Sequence, residues 1–317
     1  MVFSLTLTSE DLECSQPPPP ASPAVPLVQT AGLGAKQSSV LWLPSCPIAA
    51  AGTWDASECS VTLWRVSLSS QEGEGGAESI YSARHPTGCV LDLSASESAL
   101  YTAGGGGGVC CYRLGEGNTS LSLAWEGKKG AGKASTLGVS VESGGEGVAA
   151  VGEDGSFSLL NPETGTLVLS HASDELALYA VCWSAPPAGG HPLVVTAGSR
   201  LLLSDPREGG KAVLSLLPEP AYRVEAHTSD VWGLQLCDSS HGDLLSCSSD
   251  GTLRGRVWGG EHFSPMEVGG GEGEEAESGE SILVQLELPI NALHYSQQLG
   301  YLACASDAEV LTFIDLG

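Results

Sequence analysis

Basic residues are scarce in this chain: 13 lysines and arginines stand against 38 aspartates and glutamates among 317 residues, a formal net charge of −25. A surface of that sign repels phosphate backbones, so direct nucleic-acid binding loses its main electrostatic attraction. Metal-ligand spacings are missing too. The ten cysteines never form a CxxC and the seven histidines are dispersed, so no metal site is expected. Only Cys110 and Cys111 are neighbours. Cys182, Cys237, Cys247 and Cys304 fall in strand-like stretches, where a thiol packs as a small apolar group; free thiols in a reducing compartment are the expectation. No run approaches the roughly 18 apolar residues of a membrane span. The opening MVFSLTLTSEDLEC has neither the basic region nor the apolar core of a signal peptide. Neither G-x-S-x-G nor H-E-x-x-H occurs. Nothing supports catalysis, a cofactor or a small-molecule substrate, and the chain reads as a non-enzyme.

What is present is repetition. Residues 226–258, AHTSDVWGLQLCDSSHGDLLSCSSDGTLRGRVW, hold an Ala-His pair, an alternating strand, a second strand, an Asp-Gly turn and a third strand ending in Trp258. Weaker copies stand at 48–66, 99–114, 147–165, 193–208 and 300–316. The turn residues Asp55, Gly104, Asp154, Ser199, Asp250 and Asp307 are 49, 50, 45, 51 and 57 residues apart. A period of that length with β-type alternation inside each unit means propeller blades rather than helical repeats. Glycine, at 42 residues, suits the many tight turns that need positive φ. The expected fold is all-β: one WD40-type β-propeller over residues 1–317, with six recognisable repeats.

The last repeat predicts strands at about 291–296, 301–306 and 309–315, one short of a blade. Residues 2–8, VFSLTLT, alternate like a strand and are expected to supply the missing outer strand and close the ring. Residues 11–38, with QPPPPASPAVP, read as a proline-rich linker. SSQEGEGGAES (69–79) and the acidic EVGGGEGEEAESGES (267–281) read as solvated loops.

His227, a second-strand serine (Ser246 or Ser248), Asp250 and Trp258 are the residue types of the hydrogen-bonded tetrad of WD repeats, a structural network of paired buried polar groups. Trp258 lies eight residues after Asp250 where about six is usual, and a bulge in TLRGRVW would absorb the excess; Trp64 sits at a better distance in the first repeat. GKKGAGK (127–133) has Gly127, Gly132 and Lys133 of a phosphate-binding loop. Position 134 is alanine and no helical period follows, so it reads as an ordinary loop. Gly104–Gly108 reads as a hairpin turn. SDPR (204–207) keeps Asp205 and Arg207 of the W-D-x-R with which some WD40 proteins join a cullin-4 ubiquitin ligase, but has Ser204 in place of the tryptophan. A WD40 substrate receptor of that ligase is therefore the alternative function.

The strings GTWD (52–55), VGEDG (151–155), AHTSDVW (226–232) and SDAE (306–309) occur in an order that resembles the family of the forty-three-kilodalton WD40 nucleoporin. With the segments around them they cover most of residues 48–311. The resemblance implies a structural subunit of the Y-shaped outer-ring complex of the nuclear pore, supporting nucleocytoplasmic transport. It implies an α-helical short-arm scaffold nucleoporin as partner, nuclear-envelope localisation and, in mitosis, kinetochores. That family is seven-bladed; about one repeat is absent here between residues 208 and 226. Its partner-binding residues cannot be transferred one by one.

Overall fold

The computed structural model describes residues 27–29, 35–54, 58–67, 76–128, 134–142, 145, 147–172, 177–183, 194–197, 201–204, 227–229, 231–237, 244–258, 263–265 and 282–315. In chain order, β1 (Leu27–Gln29) comes first. Sheet one is β2 (Gln37–Trp42), β3 (Ile48–Thr53), β4 (Ser60–Ser67) and β5 (Gly76–Arg84). Sheet two is β6 (Val90–Ala95), β7 (Ala99–Gly104), β8 (Gly108–Leu114) and β9 (Leu121–Lys128). Sheet three is β10 (Thr136–Val141), β11 (Val148–Gly152), β12 (Ser156–Leu160) and β13 (Leu167–Ala172). Sheet four has β14 (Ala180–Trp183), β15 (Val194–Ala197) and β16 (Leu201–Ser204). Sheet five has β17 (Val231–Leu236), β18 (Leu244–Ser248), β19 (Thr252–Trp258), β20 (Phe263–Pro265) and β21 (Ile282–Gln285). Sheet six is β22 (Ile290–Ser296), β23 (Tyr301–Ser306) and β24 (Leu311–Asp315), with β1 on its outer edge.

Every sheet is an antiparallel meander, and five of them have at least four strands. The first strand of each sheet touches the first strand of the next, in the order β2, β6, β10, β14, β17, β22, and β22 returns to β2. This is a β-propeller arrangement, with the meanders radiating from a central channel.

Each sheet is apolar on both faces because each face meets a different neighbour. In β3, Ile48 and Ala50 pack with Val90, Leu93 and Leu100 of sheet two, while Ala49 and Ala51 pack with Ala303, Leu311 and Phe313 of sheet six. That is why IAAAG is apolar throughout instead of alternating. Trp42 and Phe313 join the latter interface with ring centroids 5.1 Å apart. The same two-sided burial recurs at the joints between sheets two and three, three and four, and five and six.

The ring is closed by an N-terminal strand, but not the expected one. Leu27, Val28 and Gln29 pair with Ile314, Phe313 and Thr312 of β24. Residues 2–8 lie outside the described residues. The supposed linker 11–38 therefore contains β1 and the start of β2. A three-residue edge strand is held by backbone hydrogen bonds, so no side-chain period announces it. The supposed loop 69–79 likewise ends in strand, since β5 begins at Gly76 as a polar outer edge.

Candidate functional site

Five of the six innermost strands carry the same irregularity. The register slips by one residue between Gln37 and Ser39, Val90 and Asp92, Thr136 and Gly138, Val231 and Gly233, and Ile290 and Ala292. A β-bulge of this kind re-aims one side chain. The five extra residues are Ser38, Leu91, Leu137, Trp232 and Asn291. All five line one cavity of about 100 Å³, together with Tyr179, which precedes β14, and Trp54. Five sheets thus contribute one equivalent residue each to the mouth of the channel, and sheet four contributes Tyr179 from just before its first strand. Trp54 and Trp232 are 40% and 39% exposed, uncommon for rings of that size. Tyr179 meets Trp232 edge-on with centroids 5.2 Å apart. Trp232 Nε1 donates to Ser249, and Lys36 Nζ sits 5.7 Å from the Trp54 ring centroid.

Deeper in the ring, polar side chains bind the backbone of the next inner strand. Ser94 Oγ accepts the Val141 N–H at 3.0 Å, Ser140 Oγ that of Trp183 at 3.2 Å, and His294 Nδ1 that of Trp42 at 3.2 Å. Gln235 uses both ends of its amide on Tyr295, accepting its N–H and donating to its carbonyl at 2.8 Å. Ser94, Ser140, Gln235 and His294 each stand four residues after the residue that opens the bulge. Asp92 adds a further tie, taking the Val139 N–H at 2.8 Å as well as its neighbour Leu93 N–H. Beside Val139, position 138 is glycine, where a Cβ would press on Val151, Ala180 and Tyr179. Burial pushes the Asp92 carboxyl up to about 7 against the pull of those two N–H donors. Burial pushes His294 down to about 4, consistent with a neutral ring that accepts through Nδ1.

His227, Ser246 and Asp250 come together in sheet five. His227 Nε2 and Ser246 Oγ are 2.8 Å apart; Nδ1 lies 3.0 Å from Thr252 Oγ1 and 3.3 Å from Asp250 Oδ2. Thr252 gives its hydroxyl proton to Asp250 at 2.6 Å. Nδ1 is then the donor on that side, and Nε2 accepts from Ser246. Partial burial opposes charge on Asp250, but hydrogen bonds from Thr252 and Thr228, with His227 beside it, hold the carboxyl well below the usual range. Ser248 Oγ instead accepts the Asp250 N–H.

The side chain of Trp258 lies outside the described ones, and only its backbone can be placed. β18 and β19 pair without a slip, Ser246 stands opposite Arg254, and the pairing ends at Leu244–Arg256. No bulge absorbs the two extra residues, so Trp258 falls beyond β18 and pairs with Phe263 of β20. Buried Arg254 takes the place opposite Ser246, with its Nε donating to Thr252 at 3.3 Å. In sheet one, Trp64 packs half-buried, and its Nε1 has no hydrogen-bond partner among the described residues.

A second histidine with the same geometry was missed. His85 Nε2 lies 2.7 Å from Thr102 Oγ1, and Nδ1 donates to Gly88 O at 3.1 Å. Burial holds its pKa down, partly offset by the Gly88 contact. Among the described residues no carboxylate completes it. The pentaglycine turn does so with backbone: Gly105 and Gly106 donate to Cys89 O and Thr87 O, both at 2.9 Å. A Cβ on Gly106 would come within 2.7 Å of Thr87 O, so glycine is required for that approach. The signal was there in RHPTG, a histidine five residues before an inner strand, as His227 is four before β17.

The remaining motifs gain nothing from the fold. The residues after GKKGAGK form strand β10, where a phosphate loop needs a helix N-terminus. Of SDPR, Ser204 ends β16, and Asp205 and Arg207 lie outside the described residues, as does the acidic stretch 267–281. The nine described cysteines are free thiols, and burial pushes Cys110 and Cys304 up to about 12. Among the described residues no group of three or more His, Cys, Asp or Glu gathers.

No family model matches the chain, and no curated protein does. Solved structures do. A chain from the crystal structure of the mitotic checkpoint complex, a WD40 propeller, is similar over 90% of this chain and 78% of its own, with a TM-score of 0.58 at 14% identity. With 1441 solved chains similar to it, the fold is common and selects no single partner. The chain thus shares the β-propeller fold of that structure.

Proposed function

We propose that this chain is a structural docking subunit of the outer-ring, Y-shaped complex of the nuclear pore, and that its six sheets form a closed six-bladed ring, one blade short of the family it resembles. The observation that carries this reading is where the resembling strings fall. GTWD supplies Trp54, AHTSDVW supplies Trp232, and SDAE supplies Asp307, the hydrogen-bond partner of the mouth residue Asn291. The strings thus build one exposed face around the channel mouth. A ring tied strand to strand by Ser94, Ser140, Gln235 and His294 is a preorganised surface, which loses little freedom on binding. The fold neighbour, too, belongs to a multiprotein assembly. The partner is the α-helical scaffold of the short arm, and the reading includes kinetochores in mitosis.

The test is a tagged chain in cells. A nuclear-rim signal that disappears on depletion of the helical scaffold, with co-purification of that scaffold, is the expected result. A diffuse signal with a cullin-4 adaptor as main partner overturns it in favour of a ligase receptor. A folded but diffuse protein that is restored to the rim by a seventh repeat inserted between residues 208 and 226 refutes the functional sufficiency of six blades while keeping the complex.

A further inference from the structure

We propose that the channel mouth is a docking pocket for one apolar side chain, of leucine or methionine size, presented by a basic segment of a partner protein. This goes beyond the outer-ring reading and does not require it.

Size comes first. A cavity of roughly 150 Å³ takes a benzene ring, and cofactor sites run from roughly 300 Å³ upward. At about 100 Å³ the mouth holds a branched or thioether side chain, but neither an indole nor a cofactor. Chemistry decides the kind of side chain. Leu91, Leu137, Trp54, Tyr179 and Trp232 give the walls their apolar character. The two polar lining residues are already engaged. Ser38 Oγ donates within the ring to backbone carbonyls of Gly52 and Val90, and Asn291 Nδ2 donates to Gln37 O at 3.0 Å and Asp307 Oδ1 at 2.9 Å. Among the described residues no carboxylate lines the cavity, so a lysine or arginine tip would meet no counter-charge from them, at a heavy desolvation cost. An apolar tip carries no such cost.

The charge lies around the mouth instead. The turn between β11 and β12 carries Glu153 and Asp154, and the turn between β23 and β24 carries Asp307 and Glu309. Glu287 precedes β22 and Glu58 precedes β4. The described cations of this face are fewer, and two already face carboxylates: Lys36 lies 3.7 Å from Asp307, and Arg84 lies 3.7 Å from Glu58. With a whole-chain charge of −25, this rim attracts a basic segment and repels an acidic one. The complementary partner is therefore a chain with lysines or arginines flanking a single aliphatic residue.

The test uses the full chain and fluorescent heptapeptides with two basic residues on each side of a central Leu, Ala or Arg. Polarisation should show the Leu peptide binding about tenfold or more tighter than the Ala peptide, since the difference is one buried aliphatic group. The Arg peptide should bind no better than Ala. Raising salt from about 0.05 to 0.5 M should weaken the Leu peptide, because the rim contribution is screened. Leu91→Phe fills the cavity and should abolish the Leu preference with an unchanged melting curve. Should that variant melt early, the double variant Glu153→Lys/Glu287→Lys, on exposed residues, should lower affinity for every basic peptide while leaving the Leu-to-Ala ratio intact. Equal binding of Leu and Ala, tightest binding of Arg, or no binding at 1 mM peptide (about 4 kcal/mol of affinity) overturns the proposal. None of these outcomes touches rim localisation, which tests the outer-ring reading by itself.

Discussion

Replacing His227 by alanine tests the network of sheet five most directly. The imidazole is wholly shielded from solvent, with 0% side-chain exposure. The substitution removes its bond to Ser246 Oγ at 2.8 Å and its contact with Thr252 Oγ1 at 3.0 Å. Each bond is worth about 1 kcal/mol net, and leaving the buried Ser246 hydroxyl unpaired adds about 1 kcal/mol or more. The Asp250 carboxylate keeps the Thr228 and Thr252 N–H donors, so its charge is not abandoned. The sum is about 2–4 kcal/mol, or a fall of about 5 °C in melting temperature for a domain of this size. Tryptophan fluorescence during thermal unfolding reads this. A double-mutant cycle with Ser246→Ala isolates the pair and should return a coupling of about 1 kcal/mol. If His227→Ala melts with the wild type, or if the two substitutions are strictly additive, the hydrogen bond contributes nothing and the network is decorative.

Three further outcomes are expected. Gly165→Ala should destabilise by about 2 kcal/mol or more, because Gly165 has φ +67° and a Cβ there would stand 2.5 Å from the Trp125 ring; unchanged melting would contradict that packing. His294 is held neutral, with a pKa of about 4 against 6.5 unfolded, so the unfolded chain takes up a proton that the folded one refuses, and stability falls as pH drops from about 7 towards 4. His294→Gln keeps an acceptor for the Trp42 N–H and should flatten that part of the profile; Asp92, raised to about 7, works the other way, so the comparison is variant against wild type at each pH. Deleting residues 1–34 removes β1 and should lower the melting temperature by several degrees, whereas deleting 1–9 spares β1 and should not; circular dichroism melts of the two truncations decide it.

The blades were legible because their strands alternate and their turns recur. Strands expected at 291–296, 301–306 and 309–315 lie at 290–296, 301–306 and 311–315. Features made by backbone alone were not. β1 spans three residues, and the outer strand of sheet five is split: β20 pairs with 256–258 of β19 and β21 with 252–254. The channel mouth stayed hidden for a different reason. Ser38, Leu91, Leu137, Trp232 and Asn291 mix polar, aliphatic and aromatic side chains, and only the bulge they occupy makes them equivalent. Ser94, Ser140, Gln235 and His294 become a series only once those bulges align the strands. His227, Ser246 and Asp250 were legible as residue types at fixed spacing, while the side chain of Trp258 lies outside the described ones.

The clasp between β1 and β24 is three rungs long, against five or six for the other pairs of its sheet. A closed ring is only as durable as its buckle. Under heat or tension the first strand pair of this sheet to part is the clasp, and parting it bares the β24 edge, with Thr312, Phe313 and Ile314 in strand form. In a crowded solution the strand that refills that edge can come from another copy of the chain. Two opened rings then close on each other, each buckled with its neighbour's strap, and a monomer becomes an exchanged dimer without any new contact being invented. Brief warming of a concentrated sample should therefore yield dimers that persist on dilution, and a disulfide engineered across the clasp should stop their formation.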